Sequence, residues 1–196
     1  MPDLSRYKGI VFDMDGTLID TMGAHGIAWR ETCEKYAYPF DGDYLHNLGG
    51  VPTRDIVVLL NEKHGLNHDP DEVTETKRLA FLDLKDSPSI IDDTFQVMQR
   101  YKGKLKMGVG TGSERNNAIT MLTETGLLEH LETVVTASDV THGKPHGETF
   151  MTVASNMGLQ PSECVVFEDT EIGRQAAQNA GMDCIMVSNG KIVLTE

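Results

Sequence analysis

Two rhythms of apolar and polar positions run through the chain. Short apolar runs rich in Val and Ile stand at Lys8 to Phe12, Lys106 to Gly110, Glu132 to Ala137, Cys164 to Phe167 and Asp183 to Val187. Runs of that length and composition predict short, buried strands. Between the later runs, apolar residues recur at helical spacing: Ser113 to about Thr125 with Gly126 after it, Gly147 to Met157 ended by Gly158, and Glu171 to Ala180 ended by Gly181. Val-rich strands alternating with helices predict an α/β fold built on a doubly wound parallel sheet, Rossmann-like in its layering.

The stretch 18–86 departs from that rhythm. Thr21 to Tyr38 reads as a helix broken at Tyr38-Pro39, Gly49-Gly50-Val51-Pro52 as a loop, and Thr53 to His64 as a helix that stops at Gly65. Asp69-Pro70-Asp71-Glu72 is a helix start, with an N-cap, a proline in the first turn and acids at the positive end of the dipole. That helix is expected to run to about Lys85 and to close at Ser87-Pro88. The pattern therefore predicts a small helical module, 18–86, inserted after the first strand of a core made of 1–17 and 87–196. Neither an internal repeat nor a low-complexity segment interrupts it.

Composition narrows the chemistry. A chain of 196 residues buries most of the surface its unfolded form exposes and needs no disulfide or structural metal to stay folded. Its three cysteines, Cys33, Cys164 and Cys184, are odd in number and form no CxxC pair, which reads as reduced cytoplasmic thiols. The N-terminus reaches an acidic motif before a signal-peptide apolar core could form, and no apolar run has the length to cross a bilayer. Seventeen basic residues against thirty acidic ones give a formal charge of −13. That balance argues against nucleic acid as a partner, because such binders need a basic footprint. A small anionic molecule fits only where cations are gathered locally or a metal is recruited.

In open parallel sheets, ligands bind outside the carboxyl ends of the strands. Asp13 and Asp15 follow the first strand, then Gly16-Thr17. Thr111-Gly112-Ser113 follows the second, Lys144 comes beyond the third, and Glu168 and Asp169 close the fourth. Two pairs of acids, a hydroxyl-glycine-hydroxyl turn and one lysine are thus expected on a single rim. These residue types suit phosphoryl transfer. Asp13 can attack phosphorus and split hydrolysis into two steps through an acyl phosphate. Its approach to an anionic phosphate costs several kcal/mol in a partly dry site unless cations intervene. A hard cation on Asp13, the carbonyl of Asp15, and Asp169 or Glu168 would relieve that cost, which favours Mg²⁺. Thr111, Gly112, Ser113 and Lys144 can cradle the phosphate oxygens, with the next helix presenting its N-terminus. Asp15, two residues on from Asp13, faces the same side of an extended strand end and can protonate the leaving oxygen, then deprotonate water. An Asp pKa near ~3.9 suits that acid role poorly, so the helical insert is expected to dry the site and raise it.

DMDGT at 13–17, TGS at 111–113, Lys144-Pro145 and EDTEIG at 168–173 resemble, in order and spacing, the four motifs of the haloacid dehalogenase superfamily. The resemblance covers nearly the whole chain, and the insert resembles the family's helical cap. Within the superfamily the chain is most similar to the β-phosphoglucomutase-like group, and there to its bacterial fructose-1-phosphate phosphatase branch, through FDMDGTLIDT, VVFEDTEIG and QAAQNAGM. The resemblance implies Asp13 as nucleophile and metal ligand, Asp15 as acid/base and carbonyl ligand, Thr111 and Lys144 as phosphate ligands, and Asp169 beside Glu168 at the metal. One departure is Lys144-Pro145-His146-Gly147-Glu148, where the family usually reads Lys-Pro-Ala-Pro-Asp.

On the insert, His25 and Trp29 are four residues apart and share one helix face. The resemblance turns them toward the sugar, makes the loop of Gly50 and Arg54 a specificity loop, and brings Lys77 to the site. The other histidines (His46, His64, His68, His130, His142, His146) show no metal-ligand spacing and read as surface residues. The expected protein is a cytoplasmic, magnesium-dependent phosphatase of small sugar phosphates, fructose 1-phosphate and 6-phosphogluconate among them, a monomer or weak dimer without membrane or nucleic-acid partners. Two rivals stand beside it. One is a β-phosphoglucomutase, against which Thr17 leans because several such mutases carry valine there; the other is a non-enzymatic receiver-type phospho-acceptor, which needs no lid.

Overall fold

The computed structural model describes residues 1–84 and 89–193. Five parallel strands, β1 (Gly9–Phe12), β4 (Lys106–Gly110), β5 (Thr133–Val135), β6 (Cys164–Glu168) and β7 (Asp183–Ser188), form the central sheet in the order β5-β4-β1-β6-β7. An antiparallel edge strand, β8 (Lys191–Ile192), completes it. The period-two alternation of the strands feeds two cores. Ile10, Phe12, Val165 and Phe167 point to one side, where α5 (Asp92–Tyr101) and α6 (Arg115–Glu124) cover them. Val11 and Val166 point to the other, against α7 (Glu148–Asn156) and α8 (Glu171–Asn179). Burial on both faces is why these strands read as unbroken apolar runs.

Between the two-residue strands β2 (Ile19–Asp20) and β3 (Ser89–Ile90) lie four further helices: α1 (Met22–Lys35), α2 (Gly42–Asn47), α3 (Thr53–His64) and α4 (Pro70–Asp83). They carry an apolar cluster of their own, centred on Trp29, Cys33, Tyr38, Ile56, Val57, Leu60 and Val73. β2 pairs antiparallel with β3, so the segments leading into and out of the insert are tied together. The start of α4 is as expected: the Asp69 carboxylate accepts from the amides of Asp71 and Glu72, with Pro70 in the first turn. The expected stop at Ser87-Pro88, and the boundary at 86/87, lie outside the described residues.

Several elements differ from expectation. α5 fills a stretch where no element was expected; its buried Thr94, Val97, Met98 and Tyr101 recur at i, i+3, i+4 and i+7, a stripe that was readable. α2 is too short to show a period. α6 starts at Arg115, not Ser113, because the Ser113 amide turns back to the hydroxyl of Thr111. His68 and His130 are not surface residues. The ring of His68 packs edge-on against Tyr36 and Tyr38, and His130 stands beside Phe95; one ring nitrogen of each is buried without a hydrogen-bond partner among the described residues. Among the described residues no helix is long and apolar enough to cross a membrane.

Candidate active site

The site is built where β1, β4 and β6 end side by side. Asp13 leaves β1 buried, and its amide is held by the carbonyl of Phe167 on the neighbouring strand. Lys144, wholly buried on the loop between β5 and α7, places its ammonium 2.6 Å from Asp13 Oδ1 and 2.8 Å from Glu168 Oε1. Glu168 is fixed in turn by Thr170, whose amide and hydroxyl both donate to its other oxygen at 2.6 and 2.9 Å. Thr170 also caps α8, and Gly173 in the first turn must lack a side chain, since a Cβ there would lie 1.8 Å from Glu168 Oε1. The close approach of α8 to the acids thus depends on a glycine that the EDTEIG word already contained.

Asp13, Glu168 and Asp169 bring carboxylate oxygens within 4.8 Å of one another. Burial raises the pKa of Asp13 well above the ordinary carboxylate range, and although Lys144 opposes this, the neighbouring acids Glu168, Asp169 and Asp15 add to it. Burial and the charge of Glu168 likewise push Asp169 up to about 7. Lys144 is oppositely placed: burial works against its charge, but Asp13 and Glu168 hold its pKa above the usual lysine value. Three buried or half-buried carboxylates thus share one ammonium. The acidic cluster and its all-oxygen donor set fit a hard divalent cation.

Asp15 faces away from that cluster. Its carboxylate accepts from the hydroxyls of Thr21 and Ser113, each at 2.7 Å, and lies 3.5 Å from the Thr111 hydroxyl and 3.2 Å from His25 Nε2. Burial would raise its pKa, but the hydrogen bond from His25, with those from Thr21 and Ser113, holds it well below the usual carboxylate range. This reverses the expectation that closure lifts Asp15. The insert dries the site, yet it also delivers donors, and the donors win. A metal contact from Asp15 would use its main-chain carbonyl, since the carboxylate is engaged elsewhere.

His25 stacks on Phe81 at 4.5 Å and receives Lys77 Nζ on Nδ1 at 2.7 Å. With Nδ1 accepting from an ammonium, Nε2 carries the proton and donates to Asp15. Burial and the adjacent Lys77 lower the His25 pKa, in keeping with a neutral ring. Lys77 is itself buried, over the rings of Trp29 and Phe81 at 5.7 and 5.3 Å, and burial brings its pKa down to about 8.

A cavity of about 460 Å³ lies between the strand ends and the insert. Asp13, Asp15, Thr111, Gly112 and Ser113 form its floor, and His25, Trp29, Gly50 and Lys77 are among its walls. The insert is closed down on the core: a Cβ on Gly112 would lie 2.3 Å from the carbonyl of Gly50. Arg54 is not brought to this cavity. It pairs with Asp71 at 2.8 Å and lines a separate cleft of about 650 Å³, while its neighbour Thr53 faces the candidate site. Sequence reasoning did not single out Thr21 or Thr170. The signal for both was a threonine one or two residues beyond an acid and opening a helix, as in IDT and EDT.

The sequence pattern of the haloacid dehalogenase-like hydrolases matches residues 10–187. A fructose-1-phosphate phosphatase of Escherichia coli (strain K12) is 40% identical over 186 residues, 93% of this chain and 97% of that one. A β-phosphoglucomutase of Bacillus subtilis (strain 168) is 27% identical, with 95% and 86% covered. Among solved structures, a protein described as a putative β-phosphoglucomutase from Bacteroides vulgatus superposes with a TM-score of 0.83 at 23% identity, covering 93% of this chain and 76% of its own, and so shares the fold.

Proposed function

The chain belongs to the haloacid dehalogenase-like hydrolases, and from that premise we propose that it is a Mg²⁺-dependent phosphatase of small sugar phosphates, working through an aspartyl-phosphate on Asp13. The observation that carries this reading is the buried contact of Lys144 with Asp13 and Glu168, directly behind the floor that Asp13 gives the cavity. The 40% identity to a fructose-1-phosphate phosphatase supports the substrate class. The cap reading of the insert, 18–86, rests on the same cavity, whose walls the insert supplies.

Asp13 attacks phosphorus and the bond to the sugar oxygen breaks; water then attacks the acyl phosphate and frees inorganic phosphate. Lys144 neutralises Asp13 and the incoming phosphate at contact distance. Thr111, Gly112 and Ser113 receive the phosphate oxygens. Asp15, ionised in its network of donors, is the base for the water step. In the first step it is the acid: a sugar oxygen displaces the His25 Nε2–H, Asp15 takes up a proton from solvent and passes it to the leaving oxygen, and is thereby ionised again for the water step. Mg²⁺, held by Asp13, the Asp15 carbonyl, Asp169 and Glu168, would stabilise the charge that builds on the transferring group. Trp29, Gly50 and Lys77 contact the sugar body.

Hydrolase is favoured over mutase by Thr17: its buried hydroxyl donates to Asp169 Oδ1 at 3.3 Å, a bond that valine cannot make. The test is a panel of sugar phosphates scored for released phosphate, with and without chelator. Phosphate release from fructose 1-phosphate that stops in chelator and returns with Mg²⁺ is the expected result. Conversion of β-glucose 1-phosphate to glucose 6-phosphate faster than phosphate release would hand the case to the mutase, and full activity in excess chelator would remove the metal.

A further inference from the structure

We propose that His142 and His146 form a binding site for a borderline-soft divalent cation of the Zn²⁺ class on the outer face of the loop that carries Lys144. The pair does have the H-x3-H spacing common among zinc ligands, and the turn between them makes that spacing spatial. The amide of His146 donates to the carbonyl of Gly143 at 3.0 Å, folding the loop back on itself. The two rings that flank the turn then stand with centroids 5.0 Å apart and planes 52° apart. Two imidazoles bound to one tetrahedral Zn²⁺ through Zn–N bonds of about 2.0–2.1 Å have ring centres about 5 Å apart. The spacing of the rings is therefore that of a bound pair, and both rings are exposed and free to turn a nitrogen each onto a common ion.

The surroundings suit a cation. Glu148 accepts from the amides of Thr141 and His142, each at 2.9 Å, which anchors a negative charge behind the pair; its carboxylate lies 4.0 Å from His146 Nδ1. Among the described residues the ring of His142 has no hydrogen-bond partner. His146 Nδ1 accepts only from the Glu148 amide at 3.1 Å, a neutral bond worth about 1 kcal/mol that a metal–nitrogen bond replaces. Imidazole ligands select Zn²⁺, Ni²⁺ or Cu²⁺ over Mg²⁺ and Ca²⁺, so this site would not compete for the cation of the acidic cluster. Its position gives it leverage. Lys144 stands between the two histidines in sequence and reaches inward to Asp13, while Gly143 packs so closely on Pro52 of the insert that a Cβ would lie 2.5 Å from it. A metal across His142 and His146 ties the two ends of this turn together.

The test is calorimetric titration of the full chain with Zn²⁺ under saturating Mg²⁺, so that the acidic cluster is occupied. The wild-type chain is expected to show a binding event that the double variant His142→Gln/His146→Gln lacks, and each single variant is expected to weaken it at least tenfold. The metal-free variants should keep the wild-type melting temperature, since both side chains are exposed. A double variant that binds Zn²⁺ as tightly as wild type overturns the proposal, as does a wild-type chain whose only Zn²⁺ uptake is the one the double variant also shows.

Discussion

The strand ends of the core and the helices of the insert solve the same problem, placing a few polar groups against a small anion, by different means. In the core each group is fixed by the sheet. β1, β4 and β6 are hydrogen-bonded neighbours in register, so whatever follows them in sequence arrives at one rim. The insert has no such frame. Its residues reach the site only through the packing of α1 against α4 and through contacts with the core, such as His25 on Asp15 and Gly50 on Gly112. The core therefore tolerates little change at its charges, whereas the insert holds its cation, Lys77, at a cost to stability. The proposed function puts chemistry in the first region and selection in the second, and variants of each should separate the two.

The largest effect is expected at Asp13. Asp13→Asn keeps the shape but removes the nucleophile, and turnover should fall by about 10³-fold or more with the melting transition retained. Retention of a tenth of the wild-type rate would take Asp13 out of that role. Next comes Lys144→Met. It leaves Asp13 and Glu168 facing each other without their cation, and breaking a buried ion pair from one side costs about 3–5 kcal/mol. Denaturant unfolding in chelator should register that loss, and Mg²⁺ should restore part of it by supplying charge to the same acids. An unchanged unfolding midpoint in chelator would mean that Lys144 does not hold the acids together.

The contrast also explains what was legible in the sequence. The order of the motifs, the two pairs of acids and the lysine were readable because a parallel sheet converts sequence position into spatial position. Trp29, His25 and Lys77 were readable only through resemblance, since helical spacing gives a shared face but not what the face meets. Arg54 failed for that reason: α3 begins at Thr53, and one residue of helix is about 100° of rotation, enough to turn the arginine onto Asp71 and leave Thr53 in the cavity. The depressed pKa of Asp15 was illegible too, because it depends on the sum of burial and donors that come from two separate segments, the start of α1 and the turn after β4.

Lys77→Met sharpens the comparison by moving function and stability in opposite directions. The variant loses the contact that holds His25 against Asp15, and turnover of sugar phosphates should fall about 10- to 100-fold, more than turnover of a small aryl phosphate. Stability should rise. Burial depresses the Lys77 pKa to about 8, against about 10.5 in the unfolded chain, so below pH 8 the folded state carries a charge that its surroundings disfavour. Removing it should contribute about 1–2 kcal/mol at pH 7, after allowing for the lost contacts with His25, Trp29 and Phe81. The gain should fade as pH rises from 8 and vanish above about 10.5, where both states are neutral. Thermal melts of the two proteins across that range check the sign, and a loss of stability at pH 7 would show that the ammonium's contacts outweigh its desolvation.

The smallest effect is expected at Arg54. Resemblance assigns the specificity loop a sugar-binding arginine, but the guanidinium here is exposed, paired with an exposed Asp71 and outside the cavity. An exposed pair of this kind is worth about 0–1 kcal/mol and is screened by salt. Arg54→Ala should therefore change kcat/KM for fructose 1-phosphate by less than about twofold and shift the melting temperature slightly, with the shift shrinking as salt is added. Thr53→Ala, one residue earlier and facing the cavity, should be the more damaging of the two on sugar phosphates and indistinguishable from Arg54→Ala on an aryl phosphate. Measuring both variants on both substrates separates a loop that reads the sugar through Thr53 from one that swings Arg54 inward on binding. A tenfold loss confined to sugar phosphates in Arg54→Ala would establish the second arrangement, and with it a cation at the cap end of the cavity that could serve a bisphosphate.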